Sequence, residues 1–200
     1  LFAVGVSKID PLPHQIEAVY EYLLKKPRIR FLLADDPGAG KTIMAGLLLK
    51  ELKYRKATEK ILIITPPALV RQWERELSEK FGESFMKVDR SVINALGPNL
   101  WEQHNQFLVS MDLASRAPDI LDQLKSINFT WDLTIVDEAH KLSAYKYGDK
   151  TEKSLRYKFG EILSETSEHL LFLTATPHKG DPENFRLLLN LLEKDLYANT

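Results

Sequence analysis

The sequence predicts an α/β fold in which a mostly parallel, doubly wound sheet carries helices on both faces. Short apolar runs alternate with amphipathic stretches along the chain, as they do when parallel strands are buried under crossover helices. A glycine-rich loop follows the first apolar run, and two acids directly follow a later one. In open α/β sheets such loops and acids meet at the carboxyl ends of the strands. With 200 residues, 44% of them hydrophobic, one domain is expected over residues 1–200.

Strands are predicted where short apolar runs are bounded by polar or turn residues. These segments are residues 30–34, 61–65, 106–110, 133–137 and 170–174, with a weaker sixth at 85–88. Helices are predicted where apolar residues recur with the spacing of one helix face. These segments are residues 14–25, 42–55, 68–80, 120–126, 154–166 and 182–193.

Two connections have no clear period. Residues 89–104 contain Gly97-Pro98-Asn99, so an irregular connection with at most a short helical piece is expected. Residues 143–153 are polar and turn-rich, and a mobile loop is expected there. The tyrosines and lysines of this second segment suit nucleic-acid contact, but its acids dilute the charge, so a solvated loop is favoured.

The bulk composition narrows the classes of function. The formal net charge of −1 gives no global basic field, so any nucleic-acid binding must be local. The absence of cysteine excludes disulfides and thiolate metal sites, and a cytoplasmic location is expected. No apolar run approaches the roughly 18 residues of a membrane span, so no membrane partner is expected. The chain opens at Leu1, and we expect it to be a piece of a longer protein.

The segment 35–42, Asp-Asp-Pro-Gly-Ala-Gly-Lys-Thr, has the chemistry of a phosphate-binding loop. Gly38 and Gly40 let consecutive backbone N–H groups curl around phosphate oxygens at the positive end of the next helix. Lys41 is expected to reach the terminal phosphates, and Thr42 to place its hydroxyl on the Mg²⁺ that bridges them. The first residue of the loop is Asp where the strict pattern has Gly. The expected ligands are a nucleoside triphosphate and Mg²⁺.

Two acids, Asp137 and Glu138, directly follow the apolar run at 133–136. Strand-end acids point into the crevice where ligands of open α/β sheets bind. We therefore expect Asp137 to hold the metal through its water shell and Glu138 to orient or deprotonate the attacking water. For an isolated pair of acids the alternative is a solvated strand end followed by a helix cap. A phosphate loop earlier in the same chain favours the catalytic interpretation.

The order of these segments resembles the first ATPase lobe of superfamily 2 helicases, most closely the SWI/SNF-type ATPases of the RapA/HepA-like bacterial and archaeal branch. The resemblance covers nearly the whole chain; its motifs are Pro13-His14-Gln15, the phosphate loop, residues 65–76, the Asp-Glu-Ala-His (DEAH) segment at 137–140 and Thr174-Ala175-Thr176-Pro177. It implies a RecA-like lobe that binds ATP and Mg²⁺, with a second RecA-like lobe outside residues 1–200. Because that second lobe supplies arginines to the transferring phosphoryl group, the resemblance implies that these residues alone hydrolyse ATP barely.

The resemblance also assigns roles in nucleotide binding. They fall to Gln15, whose amide would read the adenine edge, and to the loop residues Asp36, Pro37, Gly38, Ala39, Gly40, Lys41 and Thr42. Asp36, where the family usually has Glu, and Pro37 are departures that leave the Lys-Thr chemistry intact. Coupling of the nucleotide state to the grip on nucleic acid falls to His140, Thr174 and Thr176.

A further set of residues is assigned to the backbone of the tracked nucleic acid: Thr65, Pro66, Arg71 and Ser110. Two neighbours are expected to have other roles. Trp73 lies one helical turn before Leu77, so core packing is favoured for it. Asp112 is expected to cap the helix that follows Ser110.

Together these features predict the ATP-binding lobe of an ATP-dependent translocase on nucleic acid, with duplex DNA favoured as the track. The alternative is a subunit of a remodelling or defence complex that uses ATP occupancy to dock protein partners without translocating. A small-molecule kinase or GTPase is less well supported, since such an enzyme has no reason to carry Gln15 and the segment 174–176.

Overall fold

A computed structural model describes residues 1–34, 40–142, 144–147, 150–175 and 182–193, and the side chains of these residues outside 143–153. The strands are β1 (Arg30–Ala34), β2 (Ile61–Thr65), β3 (Met86–Val88), β4 (Gln106–Ser110), β5 (Trp131–Val136), β6 (Ala144–Tyr147), β7 (Lys150–Lys153) and β8 (Ser167–Thr174). Six of them form one parallel sheet in the order β1-β8-β5-β2-β4-β3. The other two, β6 and β7, form an antiparallel hairpin.

The helices are α1 (Phe2–Val6), α2 (Pro13–Glu17), α3 (Lys41–Tyr54), α4 (Val70–Phe81), α5 (Arg90–Leu96), α6 (Leu100–Gln103), α7 (Met111–Arg116), α8 (Pro118–Lys125), α9 (Leu155–Thr166) and α10 (Pro182–Leu192). A π-helical segment, Ala18–Leu23, continues α2, and the N–H of Leu24 bonds the Val19 carbonyl five residues back at 2.9 Å. No helix among the described residues has the length and apolarity that a membrane span needs.

Two hydrophobic clusters cover the two faces of the sheet. Along β2 the buried side chains alternate, so that Ile61 and Ile63 join one cluster and Leu62 and Ile64 join the other. The first cluster includes side chains of α1, α3, α4 and the π-helical segment. The second includes side chains of α5 to α10. Strands that are apolar on both sides therefore sit between two helical layers, which confirms the predicted doubly wound α/β fold.

The predicted strands 30–34, 61–65 and 106–110 match the observed bounds. Both β5 and β8 begin earlier than predicted, because Trp131 pairs with Ser167 at their amino ends. The predicted irregular connection at 89–104 is wrong. Asp89 caps α5 by accepting the Val92 N–H at 3.0 Å, and α6 follows it after a short 3₁₀ turn, burying Leu100 and Trp101.

The loop predicted at 143–153 is also wrong, because its described backbone forms the hairpin of β6 and β7. In this hairpin Tyr147 pairs with Lys150 and Ala144 with Lys153. The tyrosine and lysine side chains that the sequence offered for nucleic-acid contact lie outside the described side chains.

A glycine brings α3 and α4 close together. A Cβ atom at Gly46 of α3 would lie 2.2 Å from the Phe81 ring at the end of α4, so only glycine fits this crossing without a shift. This contact packs α3, which begins at the phosphate loop, against α4, which begins after β2, on one face of the sheet.

Candidate functional site

The amino end of α3 carries the described part of the phosphate loop. Gly40 precedes the helix in the left-handed conformation, with φ 83° and ψ 36°, which favours glycine. Lys41 and Thr42 are the first two residues of α3, so they lie in the first turn of a helix, where backbone N–H groups attract anions. Asp36, Pro37, Gly38 and Ala39 fall outside the described residues.

Asp137 follows β5 and is buried, with 6% of its surface exposed. Its backbone N–H donates to the Ile64 carbonyl of the neighbouring β2 at 2.8 Å. Its Oδ1 accepts the Glu138 N–H, and its Oδ2 accepts the indole N–H of Trp73, each at 2.8 Å. Both carboxylate oxygens are therefore held by neutral donors.

Burial raises the pKa of Asp137 above its ordinary value, and the Glu138 carboxylate raises it further. The Trp73 and Glu138 N–H groups and the charge of Lys41 act in the opposite direction without cancelling the effect. A nearby cation favours the ionised form of a carboxylate. A cation bound beside Asp137 would therefore lower this pKa.

Glu138 begins a row of polar side chains that crosses to the adjacent strand. Its backbone is left-handed, with φ 52°, an uncommon conformation for a non-glycine residue. The Glu138 carboxylate lies 3.3 Å from His140 Nε2, and His140 Nδ1 lies 2.8 Å from the Thr174 hydroxyl. In the neutral tautomer with its proton on Nε2, the imidazole accepts from the Thr174 hydroxyl at Nδ1, and its Nε2–H lies beside the Glu138 carboxylate.

The same row reaches the strand that leads into the phosphate loop. Thr174 is the last residue of β8 and pairs with Ala34, the last residue of β1. The structure therefore brings His140 and Thr174 together, as the coupling prediction requires, while the coupling role itself stays a prediction. Thr176 falls outside the described residues.

Gln15 lies beside the phosphate loop. Its side-chain oxygen accepts the Leu12 N–H at 2.9 Å, which caps α2. Its amide nitrogen faces Gly40, since a Cβ atom there would lie only 2.0 Å away. Gln15 is thus buried between its own turn and the loop, and reading of adenine by its amide remains a prediction.

A cavity of about 600 Å³ joins these elements, with Gln15, Gly40, Lys41, Thr42, Asp137 and Glu138 in its wall. Sequence reasoning missed Gln72, Glu76 and Lys80, which also line it. These three form a ladder on α4, in which Glu76 accepts from Gln72 at 2.9 Å and from Lys80 at 3.2 Å. Their spacing of four residues was the available signal.

Another cavity, of about 640 Å³, lies by the amino ends of β3 and β4. Its wall includes Lys53, Glu59 and His104. None of the residues that line it is among the predicted site residues. The sequence-predicted chemistry therefore belongs to the cavity at the carboxyl edge.

The residues predicted to contact nucleic acid differ in accessibility. Arg71 is exposed at the start of α4, whereas Thr65 and Pro66 are buried. The Thr65 hydroxyl donates to the Pro66 carbonyl at 3.1 Å. Ser110 caps α7 by accepting the Leu113 N–H at 3.2 Å. Of these four residues, only Arg71 is exposed.

The cap predicted at Asp112 is wrong, because Ser110 occupies that position. Asp112 instead accepts from Arg156 of α9 at 2.7 Å. Trp73 and Leu77 are buried in the core, as their spacing predicted.

A RecA-like α/β lobe with a phosphate-loop helix and two strand-end acids belongs to the class of helicase-like ATPases. Within this class, the chain is a member of the SNF2-related domain family, which matches residues 14–200. It is 37% identical over 190 residues to the uncharacterized ATP-dependent helicase YqhH of Bacillus subtilis, covering 94% of this chain and 30% of that protein. It is 33% identical over 189 residues to the RNA polymerase-associated protein RapA of Yersinia enterocolitica, covering 93% and 19% respectively.

Among solved structures, the chain is similar to the Sulfolobus solfataricus SWI2/SNF2 ATPase core in complex with dsDNA. The TM-score is 0.73 at 22% identity, over 95% of this chain and 37% of that one. It is also similar to the Pyrococcus furiosus Hef helicase domain, with a TM-score of 0.64 at 18% identity, over 91% and 36%. The chain thus spans about a third or less of these relatives.

Proposed function

We propose that this chain is the ATP-binding lobe of an ATP-dependent nucleic-acid translocase, with duplex DNA as its track. The observation that carries the proposal is that Lys41 and the adjacent acids Asp137 and Glu138, which lie far from Lys41 in sequence, line one cavity at the carboxyl edge of the sheet. Hydrolysis of ATP needs a cation to bind the terminal phosphates, a carboxylate to hold the metal and a carboxylate to orient or deprotonate the attacking water.

The oxygen donors fit a magnesium ion. Thr42 and Asp137 offer one hydroxyl and one carboxylate, and no cluster of three or more potential metal-binding side chains occurs among the described residues. Mg²⁺ is commonly held by one or two protein oxygens together with substrate phosphates and water. When bound, the ion would neutralise charge on the β- and γ-phosphates.

The chain's own groups supply the remaining chemistry. Lys41 and the N–H groups at the start of α3 bind and orient the phosphates. Glu138 is placed to orient or deprotonate the attacking water, and its carboxylate lies 3.3 Å from His140 Nε2, which restricts its orientation. His140 also contacts Thr174. A movement of Glu138 on loss of the terminal phosphate would therefore also shift the end of β8.

The nucleic-acid track is supported by chain similarity and by local charge. One solved structure with the same fold is a complex with dsDNA, and Arg71 is exposed beside the cavity wall of α4. The relatives are about three or more times longer than the matched segment, which leaves room for a second RecA-like lobe. We further infer that this lobe completes the site, that the isolated residues 1–200 hydrolyse ATP barely, and that the protein works in the cytoplasm.

ATP turnover by the intact protein tests this proposal, with no nucleic acid, duplex DNA, single-stranded DNA or duplex RNA present. Duplex DNA should stimulate turnover most, and added salt should weaken the stimulation. Glu138→Gln should lower the stimulated rate about 10²- to 10⁴-fold. Glu168→Gln, an exposed carboxylate at the opposite end of the sheet, is the matched control and should leave it unchanged. Equal turnover in every reaction would instead favour the partner-docking subunit.

A further inference from the structure

The buried indole N–H of Trp73 needs a hydrogen-bond acceptor, but packing in the core does not require that the acceptor be Asp137. The side chain is 2% exposed, and its Nε1–H donates to Asp137 Oδ2 at 2.8 Å. Asp137 is the acid that we assign to the metal, and it lies on a different element, at the end of β5. A core tryptophan of α4 thus contacts the candidate metal ligand directly.

The topology explains why these two side chains meet. Strands β2 and β5 are neighbours, with Ile64 paired to Val136, and the next residue, Asp137, donates its N–H to the Ile64 carbonyl at 2.8 Å. The chain leaves β2 at Thr65, passes through a short 3₁₀ turn and enters α4. Trp73, in the first turn of α4, therefore lies above the end of β5.

An indole N–H suits the task of orienting a metal-binding carboxylate. It is a neutral donor without an acceptor site, so it fixes Oδ2 without a positive charge that would compete with a cation. The Glu138 N–H fixes Oδ1. With one donor on each oxygen, the plane of the carboxylate is set, and lone pairs remain on both oxygens for the water shell of an ion.

We propose that Trp73 is a positioning residue that orients the Asp137 carboxylate for the magnesium ion of the bound nucleotide. This inference rests on the proposed function, because it presumes that Asp137 takes part in metal binding. Residues that orient metal ligands typically change metal affinity or activity about 10- to 100-fold when they are replaced. A tryptophan that served packing alone would change stability and leave metal affinity alone.

Trp101 provides a matched control. It is 1% exposed and also donates one indole hydrogen bond, to Gln123 Oε1 at 3.0 Å, but it belongs to the hydrophobic cluster on the other face of the sheet. Trp73→Phe and Trp101→Phe therefore each remove one buried N–H and a similar volume. Only the first removes a contact to Asp137.

The test is a titration of the intact protein with Mn²⁺ in the presence of ADP, followed by electron paramagnetic resonance. Trp73→Phe should weaken Mn²⁺ binding about 10- to 100-fold relative to Trp101→Phe, while the affinity for ADP in EDTA stays unchanged. As a second variant, benzothienylalanine at position 73 replaces the N–H with sulfur and keeps the shape of the ring, so it preserves packing.

The outcomes separate the two proposals. Mn²⁺ affinity in both position-73 variants equal to that of Trp101→Phe would overturn the positioning role. A wild-type protein that takes up no Mn²⁺ with ADP would overturn the proposed function itself.

Discussion

Replacing Gly40 by alanine tests the contact between the phosphate loop and Gln15. Gly40 has φ 83° and ψ 36°, and an L-residue held in this left-handed region costs about 1–2 kcal/mol. A Cβ atom would also lie 2.0 Å from Gln15 Nε2 and 3.2 Å from its Cδ. The glutamine side chain must therefore move and lose its bond to the Leu12 N–H, a further loss of about 1 kcal/mol. We expect Gly40→Ala to lower the free energy of unfolding by about 2–3 kcal/mol.

Gly82 provides the control for backbone strain. It ends α4 with φ 64° and ψ 29°, and a Cβ atom there would meet nothing within 4 Å. Gly82→Ala should therefore cost only the left-handed strain, about 1–2 kcal/mol. The difference between the two variants isolates the clash with Gln15.

Urea unfolding of the 1–200 chain measures the free energy of unfolding of both variants. The values are comparable if the dependence on urea concentration, the slope m, is the same for both. In a Gln15→Ala background the clash is absent, so Gly40→Ala should lower the free energy of unfolding no more than Gly82→Ala does. The double-mutant cycle of Gly40→Ala and Gln15→Ala should therefore give a coupling energy of about 1 kcal/mol. Affinity for ATP should fall in Gly40→Ala and not in Gly82→Ala. Equal losses for Gly40→Ala and Gly82→Ala with Gln15 intact would refute the packing of Gln15 on the loop.

Two further predictions concern buried ionisable groups. Burial tends to raise the pKa of Glu83, but hydrogen bonds from Lys50 and Lys53 outweigh this effect and lower the pKa. The ionised Glu83 cluster therefore stabilises the fold fully above the unfolded-state pKa of about 4.3. This stabilisation is lost as the pH falls through the pKa of Glu83 in the folded protein. Glu83→Gln should lower the free energy of unfolding by about 2 kcal/mol at pH 7, since it weakens hydrogen bonds between charged groups. Glu74→Gln, in a surface pair, should lower it by less than about 0.5 kcal/mol, and equal urea midpoints for the two variants would contradict this. Burial lowers the pKa of His169, so stability should fall as the pH drops below about 6.5, by at most about 1.4 kcal/mol per pH unit. Urea unfolding at pH 7.5 and 5.5 should show a larger loss in the wild type than in His169→Gln, and an equal loss would contradict the assignment.

The sheet was predictable because its strands are buried on both faces. A strand such as Ile61–Thr65 is buried at every position, so it appears in the sequence as a continuous apolar run. The start of α3 was equally predictable, since the Gly-Lys-Thr end of the phosphate-loop pattern stands at Gly40–Thr42, where the helix begins. At 89–104, by contrast, Gly97 and Pro98 interrupt the local pattern. The helices there depend on burial of Trp101 against the sheet, a tertiary contact that no short window contains.

The sequence predicted which types of residue form the candidate site, but not the hydrogen bonds between them. The spacing of Trp73 and Leu77 predicted core packing, and both are buried. The hydrogen bond from Trp73 to Asp137 depends on the crossover from β2 to α4, which only the folded chain provides. The polar ladder on α4 was missed for the same reason. Its spacing shows that the three side chains share one helix face, but only the folded chain shows that this face lines the cavity.

The two acids are adjacent in sequence, yet different parts of the fold hold their carboxylates. Trp73 of α4 holds Asp137 on one side, and α4 begins at the segment predicted to contact nucleic acid. His140 lies beside Glu138 on the other side, and it is held by Thr174 of β8, which lies between β1 and β5. Displacement of α4 would therefore act first on the Asp137 carboxylate, and displacement of β8 first on the Glu138 carboxylate. If Asp137 and Glu138 have the roles that we propose, the lobe has separate structural inputs to metal binding and to hydrolysis, and the Glu138 N–H that donates to Asp137 Oδ1 links them.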